Sequence, residues 1–451
     1  MDKKQEILDL VKDYVLEKRK NDSWTPGEDW VSYSGPVFDD REFVAAIDSL
    51  LDEWLIFGKK SREFELEFPK HLGKKHGSLT NSGSSANLLA VTAAKSHFKL
   101  DDGDKFITPV VCFPTTVNPL LQCNLKPVFV DVTLPDLNLD LDEVEAILEK
   151  DPSIKGVMFA HVLGNPPDMD RLMGLVEKYN LVFIEDACDA LGSFYKGKKL
   201  GSFGHISTCS FFPAHHMTTG EGGFVATNIG GLRKSIASFR DWGRACYCNT
   251  GKPGCVVSTT ACGNRFQAWL PDLPDFTYDH RYVFDEIGYN LKPLELQAAM
   301  GLEQLKKLPM LDEARRVNFT KLYNIFEPYE EYFHLPLAND DSDPNWFAFL
   351  LTIKEDAPFS RHDFVSFLEK NKIQTRSYFS GNILYHPGYA HLKSDYKNIK
   401  ERFENAHLIT TNSFFLGTFV GITDEKLEYI EKVVRDFFKQ KSRQLNVRGA
   451  A

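Results

Sequence analysis

Six short apolar runs recur through the middle of the chain, at 106–111, 127–132, 156–162, 181–187, 208–212 and 223–226. Helical patterns near 85–97, 141–149 and 169–178 separate the earlier ones. Runs this short and this apolar read as strands buried on both faces. Strands that alternate with helices build a mainly parallel sheet with helices on both sides, so the fold class is α/β. Ligands on such sheets bind beyond the carboxyl ends of the strands.

The flanks suggest three parts. Residues 5–19 put Ile7, Leu8, Val11, Tyr14 and Val15 on one helical face, and a second helix is expected over about 40–56. These give an N-terminal helical arm (1–56), a large domain (57–300) and a smaller C-terminal α/β domain (301–451). Within the large domain, about 244–290 is a cysteine-rich insertion, also rich in glycine and proline and without clear periodicity, as expected of a functional or a disordered stretch. A length of 451 residues, 43% of them hydrophobic, suffices for a large domain and a smaller one. The net charge of −10 and the lack of a basic tract exclude nucleic acid as a partner. No run of eighteen apolar residues offers a membrane span. Met1-Asp2-Lys3-Lys4-Gln5 opens without a signal-peptide core, so a cytoplasmic protein is expected. Of eight cysteines, four fall between Cys246 and Cys262. In a reducing compartment such a cluster points to metal rather than to disulfides.

Three motifs carry chemistry. Asn81-Ser82-Gly83-Ser84-Ser85-Ala86-Asn87 opens a helix. Glycine followed by hydroxyls at a helix N-terminus can cradle phosphate through backbone N–H groups, or can simply be a serine N-cap. Phe183-Ile184-Glu185-Asp186-Ala187-Cys188-Asp189 ends a strand on carboxylates. A buried carboxylate needs a partner, and a protonated pyridine nitrogen is one; capping the next loop is the alternative. The third is Ser210-Phe211-Phe212-Pro213-Ala214-His215-His216-Met217-Thr218-Thr219-Gly220-Glu221-Gly222-Gly223.

Taken together, the strand-end Asp, the Ser-Phe pair and the Gly-Glu-Gly-Gly turn resemble the sugar aminotransferase group of fold-type I pyridoxal-phosphate enzymes. In that group a lysine five positions before the turn bonds the cofactor covalently. Here that position is His215, and no lysine occurs between Lys199 and Lys234. Imidazole cannot form a Schiff base but can move protons near neutral pH. The resemblance therefore implies noncovalent pyridoxamine 5′-phosphate (PMP/PLP) with His215 as the catalytic base. It further implies that Gly83, Ser84, Ser85 and Ser210 contact the cofactor phosphate, that Phe113 stacks on the pyridine and that Asp186 pairs with its nitrogen. Asn290 would reach the phosphate of a second subunit, which implies a homodimer. His216 is expected to be structural.

The histidine and the cysteine set together resemble the branch of iron–sulfur-dependent 3-dehydrases that act on CDP-4-keto-6-deoxyglucose. Fifty-seven residues separate Cys188 from Cys246, and one separates Cys246 from Cys248. The resemblance implies a [2Fe–2S] cluster on Cys188, Cys246, Cys248 and Cys262. The resemblance implies about seven residues between the third and fourth ligands; here thirteen separate Cys248 from Cys262, which the following Gly263-Asn264-Arg265-Phe266 favours, and six separate Cys248 from Cys255, which is the rival fourth ligand. Zinc, or no metal, is the alternative use of these thiols. The implied partners are a nucleotide-sugar substrate and an NAD(P)H-dependent flavin iron–sulfur reductase. CDP follows from the resemblance, whereas GDP, TDP and UDP stay open, and Lys59, Lys60 and Arg62 are candidates for the diphosphate. The rival readings are a cluster-free 3-deoxygenase that uses glutamate, an ordinary aminotransferase, and an inactive cofactor-binding regulator.

Overall fold

The computed structural model describes residues 2–20, 22–245 and 265–448. Seven strands form the central sheet: β1 (His76–Thr80), β2 (Lys105–Pro109), β3 (Lys126–Val130), β4 (Ile154–Ala160), β5 (Val182–Asp186), β6 (Ile206–Ser210) and β7 (Gly223–Thr227). Their order is β1-β7-β6-β5-β4-β2-β3. Strands β2 to β6 pair in parallel, and β7 runs antiparallel to both of its neighbours. The six apolar runs thus become β2 to β7. The seventh strand, β1, carries no such run: His76-Gly77-Ser78-Leu79-Thr80 is defined by its pairing with β7.

Helices cover both faces: α1 (Lys3–Lys20), α2 (Asp40–Leu51), α3 (Lys59–Glu67), α4 (Gly83–Phe98), α5 (Pro114–Gln122), α6 (Leu141–Lys150), α7 (Met169–Lys178), α8 (Gly230–Arg240) and α9 (Glu295–Phe326). Phe68, Phe183, Phe211 and Phe224 belong to one buried cluster. Ala90, Phe106, Met158 and Ile184 belong to another. On α1 the expected apolar stripe is only partly covered: Val15 is buried and Leu8 and Val11 are half-buried, but Ile7 and Tyr14 are exposed.

Helix α5 is hidden in the sequence by its prolines. Pro114 stands in the first turn, where its missing N–H and fixed φ are harmless. Pro119 is inside the helix and cannot donate to the carbonyl of Thr115. That carbonyl instead accepts a hydrogen bond from Asn87 Nδ2 on α4, at 3.1 Å.

A second, antiparallel sheet contains β8 (Phe333–His334), β9 (Ala348–Ile353), β10 (Arg376–Ser377) and β11 (Ser413–Gly417), in the order β8-β9-β11-β10. Helix α9 serves both sheets. Ala298, Leu302 and Leu308 pack into the core of the large sheet, and Leu322 and Phe326 into that of the small one. The expected division near residue 300 falls inside this helix. A third cluster joins Val110, Val111 and Phe129 to Phe347, Tyr378 and Phe415, which holds the small sheet over the carboxyl ends of the large one. Within 265–290 the regular elements are the two-residue strands Phe266–Gln267 and Tyr278–Asp279 and a short turn of helix. No helix among the described residues is long and apolar enough to cross a membrane.

Candidate active site

A cavity of about 690 Å³ lies at the carboxyl ends of the large sheet, between it and the small sheet. Its wall brings together Gly83, Ser84, Phe113, Asp186, Cys188, Ser210 and His215, residues spread over more than 130 positions of sequence.

One end is the N-terminus of α4. Ser82 is the N-cap, and its Oγ accepts from the backbone N–H of Ser85 at 3.1 Å. The N–H groups of Gly83 and Ser84 are left without intrahelical partners. Gly83 packs directly on Ser210, so a Cβ at 83 would stand 2.5 Å from that of Ser210. Ser85 does not line the cavity: capping occupies its N–H, and its hydroxyl meets that of Ser82 at 3.0 Å.

Asp186 ends β5 and is 2% exposed. Its neighbour Glu185 points to the opposite face, as strand alternation requires, and there meets His161 at 2.9 Å and the N–H of Phe203 at 2.8 Å. The Asp186 carboxylate accepts from Asn87 Nδ2 at 2.8 Å, Thr116 Oγ1 at 3.0 Å and the Cys188 N–H at 3.1 Å. Asn87 is itself held, because Thr208 Oγ1 donates to its Oδ1 at 2.6 Å. These partners are all uncharged donors. A buried carboxylate so arranged is oriented but not neutralised, which suits a cationic ring nitrogen.

The imidazole of His215 is 15% exposed and lies 5.3 Å from the ring of Phe347, centroid to centroid. Its Nδ1 stands 3.4 Å from Asp189 Oδ1, close enough to pair when the imidazole is protonated. Burial pushes the Asp189 carboxyl above its usual range, against the opposing pull of His215. Arg315, itself buried, donates to the backbone carbonyls of Ala214 and His215 at 3.3 and 3.0 Å, which fixes the main chain beneath the imidazole. Burial lowers this guanidinium to about 10. His216 turns inward: its Nε2 is 2.8 Å from the carbonyl oxygen of Asn345, and burial drives its pKa well down.

Phe113 lines the cavity and is 51% exposed, so it is not a core residue. Its ring meets Phe379 edge to face at 5.9 Å. Asn290 is exposed, outside the cavity, and bridges to Asp241. Lys59, Lys60 and Arg62 do not line the cavity either; they sit on α3, which packs along α9. Among the described residues, the one Lys or Arg that lines the cavity is Arg376 on β10. Cys188 is half-buried on the cavity wall. Cys246, Cys248, Cys255 and Cys262 lie outside the described residues. Among the described residues, no group of three or more His, Cys, Asp or Glu is arranged to hold a metal.

Sequence reading gives no role to Asn87, Thr116, Asp189 or Arg376. Asn87 and Asp189 stand inside the quoted motifs; Asn87 follows Gly83 by one helical turn, a spacing that points it toward the same end of the sheet. Thr116 and Arg376 carry no such signal, because each depends on a tertiary approach.

The sheet order, with a helix N-terminus and a strand-end carboxylate opening on one cavity, defines a fold-type I pyridoxal-phosphate enzyme scaffold, a mostly parallel sheet flanked by helices with a smaller C-terminal α/β part. The chain belongs to the DegT/DnrJ/EryC1/StrS aminotransferase family, whose model matches residues 37–435. It is 42% identical over 440 residues to the lipopolysaccharide biosynthesis protein RfbH of Salmonella typhimurium, covering 96% of this chain and 98% of the relative. It is 40% identical over 445 residues to the dTDP-4-dehydro-2,6-dideoxy-D-glucose 3-dehydratase of Saccharopolyspora spinosa, covering 98% and 93%. Among solved structures, the E. coli GDP-4-keto-6-deoxy-D-mannose-3-dehydratase with bound hydrated PLP superposes with a TM-score of 0.75 at 28% identity, covering 89% of this chain and 98% of that one.

Proposed function

We propose that this chain removes the C3 hydroxyl of a nucleotide-linked 4-keto-6-deoxyhexose, with CDP-4-keto-6-deoxy-D-glucose as the substrate, in deoxysugar and lipopolysaccharide biosynthesis. The observation that carries the reading is His215 facing the cavity from the place where the family has its lysine, beside Asp189. Relatives whose names denote 3-dehydratases support it.

In this reading the N–H groups of Gly83 and Ser84 and the Ser210 hydroxyl hold the cofactor phosphate, with Ser85 stiffening the turn behind them. Asp186 pairs with the pyridine nitrogen and Phe113 covers the ring. Asn290 of each chain serves the site of the other in a homodimer. When bound, pyridoxamine phosphate supplies an amine for the 4-keto carbon and a ring that accepts electrons. His215 would be the group that accepts and moves the proton at its ring nitrogen, and Asp189 would stabilise the resulting imidazolium. Gly83→Ala is expected to abolish cofactor retention, because the added Cβ meets Ser210 where the phosphate is held; absorbance of the desalted protein reads this out, and full retention would contradict the cradle.

Cys188, Cys246, Cys248 and Cys262 are proposed to hold a [2Fe–2S] cluster, with Cys255 as the rival fourth ligand. Support for the cluster comes from the cysteine pattern of the sequence, with Cys188 lining the cavity. Such a cluster supplies electrons one at a time, and an NAD(P)H-dependent flavin iron–sulfur reductase is the proposed donor. A second reading is a cluster-free enzyme that recharges its cofactor with glutamate; a solved structural neighbour with a trapped PLP–glutamate geminal diamine favours it. One experiment separates the two. Anaerobically purified protein should be reddish-brown, contain about two irons and two labile sulfides per chain, and form the 3-deoxysugar with the reductase but not with glutamate. An iron-free protein that turns over with glutamate alone would establish the second reading. A protein that eliminates no hydroxyl under either condition would overturn both.

A further inference from the structure

The cavity has one cation and three acids among its described residues: Arg376 against Asp186, Asp189 and Glu221. Arg376 is partly buried at the start of β10, an edge strand of the small sheet. Its guanidinium lies 4.3 Å from the ring centre of Tyr33, and its Nη1 donates to the carbonyl of Thr375 at 2.7 Å. A guanidinium over an aromatic ring is held there by cation–π attraction while its in-plane N–H groups can still donate.

Tyr33 is itself anchored. Its N–H donates to Gln374 Oε1 at 3.1 Å, and residue 31 pairs with 373 in a parallel bridge. Gly417 on β11 lets the Tyr33 backbone approach closely, since a Cβ there would meet the Tyr33 carbonyl oxygen. A segment of the N-terminal arm is thus held against the small sheet with its ring under the guanidinium. A second arginine stands behind the wall: Arg361 donates through Nη2 to Ser377 Oγ, and Ser377 lines the cavity.

A chain of ring contacts leads from this point to the base: Tyr33 to Phe415 at 5.9 Å, Phe415 to Phe347 at 6.3 Å, and Phe347 to His215 at 5.3 Å. The phosphate cradle at Gly83 and Ser210 belongs to the other wall, on the large sheet. The cavity therefore offers two anion-binding ends, one made of backbone N–H groups and hydroxyls and one made of a guanidinium.

We propose that Arg376 binds the diphosphate of the nucleotide-sugar substrate, while the sugar ring lies along the aromatic wall with its reacting carbons at His215. This rests on the nucleotide-sugar reading above. Arginine suits the task because its fork donates to two phosphate oxygens at once.

The test measures binding of CDP, GDP, dTDP, UDP and CMP by calorimetry to protein loaded with pyridoxamine phosphate. Arg376→Gln should weaken the preferred nucleoside diphosphate roughly 10- to 100-fold, should affect CMP much less, and should leave cofactor retention and melting temperature unchanged. Arg376→Lys should recover part of the loss. Wild-type affinity for the diphosphate in Arg376→Gln would overturn the assignment. So would loss of cofactor with diphosphate affinity intact, which would give Arg376 to the cofactor phosphate, or a raised KM for glutamate alone, which would give it to an amino donor's carboxylate. If the unmodified protein binds none of the four diphosphates, the nucleotide-sugar reading itself fails, and this proposal with it.

Discussion

Replacing His215 with asparagine is expected to slow elimination of the C3 hydroxyl by about two to four orders of magnitude while cofactor binding persists. Asparagine keeps much of the volume and polarity of histidine but cannot accept a proton at working pH. The main chain should not move, since Arg315 grips the carbonyls of Ala214 and His215 rather than the ring. The groups proposed to hold the cofactor are on other elements, so its retention should be unchanged. The measurement is a single turnover of the 4-keto sugar followed by mass spectrometry, alongside the absorbance of the retained cofactor. A variant that dehydrates at close to the original rate would remove His215 from the mechanism.

A second large effect is expected from Asp186→Asn. Loss of one member of a buried charge pair typically costs about 2–5 kcal/mol, so pyridoxamine phosphate should bind roughly 30- to 4,000-fold more weakly. Elimination should slow as well, because an unprotonated pyridine is a poorer electron acceptor. The apo protein tells a different story. There the carboxylate is surrounded by Asn87, Thr116 and a backbone N–H, with no cation among these partners. Asparagine offers one acceptor oxygen to these three donors, so the melting temperature of the apo protein should fall slightly, while cofactor affinity falls far more. Titration of apo protein with pyridoxamine phosphate, paired with calorimetric melting, separates the two consequences. Equal cofactor affinity in the variant and the parent would contradict the pairing.

The large sheet is legible in the sequence because its parallel strands are buried on both faces and appear as uninterrupted apolar runs. Strand β1 is not, since Leu79 is its one large apolar residue, and neither is α5, whose two prolines read as breakers. The candidate site is legible where its residues share a short motif, as around Gly83, Asp186 and His215. It is not legible where function depends on contact between distant segments. Thr116 reaches Asp186 across seventy positions, and Arg376 meets Tyr33 only because the arm returns to the small sheet. Lys59, Lys60 and Arg62 illustrate the converse: basic residues close to the start of a domain suggest an anion site, yet α3 carries them away from this chain's cavity.

The proline inside α5 has a consequence for how this scaffold can change. A residue with an N–H at 119 could reclaim the Thr115 carbonyl and make the helix more regular. It would then compete with Asn87 for the same acceptor, and Asn87 is what aims the Asp186 carboxylate. Local helix quality and the aim of the cofactor's partner therefore pull in opposite directions at one position. A search for stabilising substitutions would be drawn to Pro119 on propensity alone, and success there would surface as a looser active site rather than as a weaker fold.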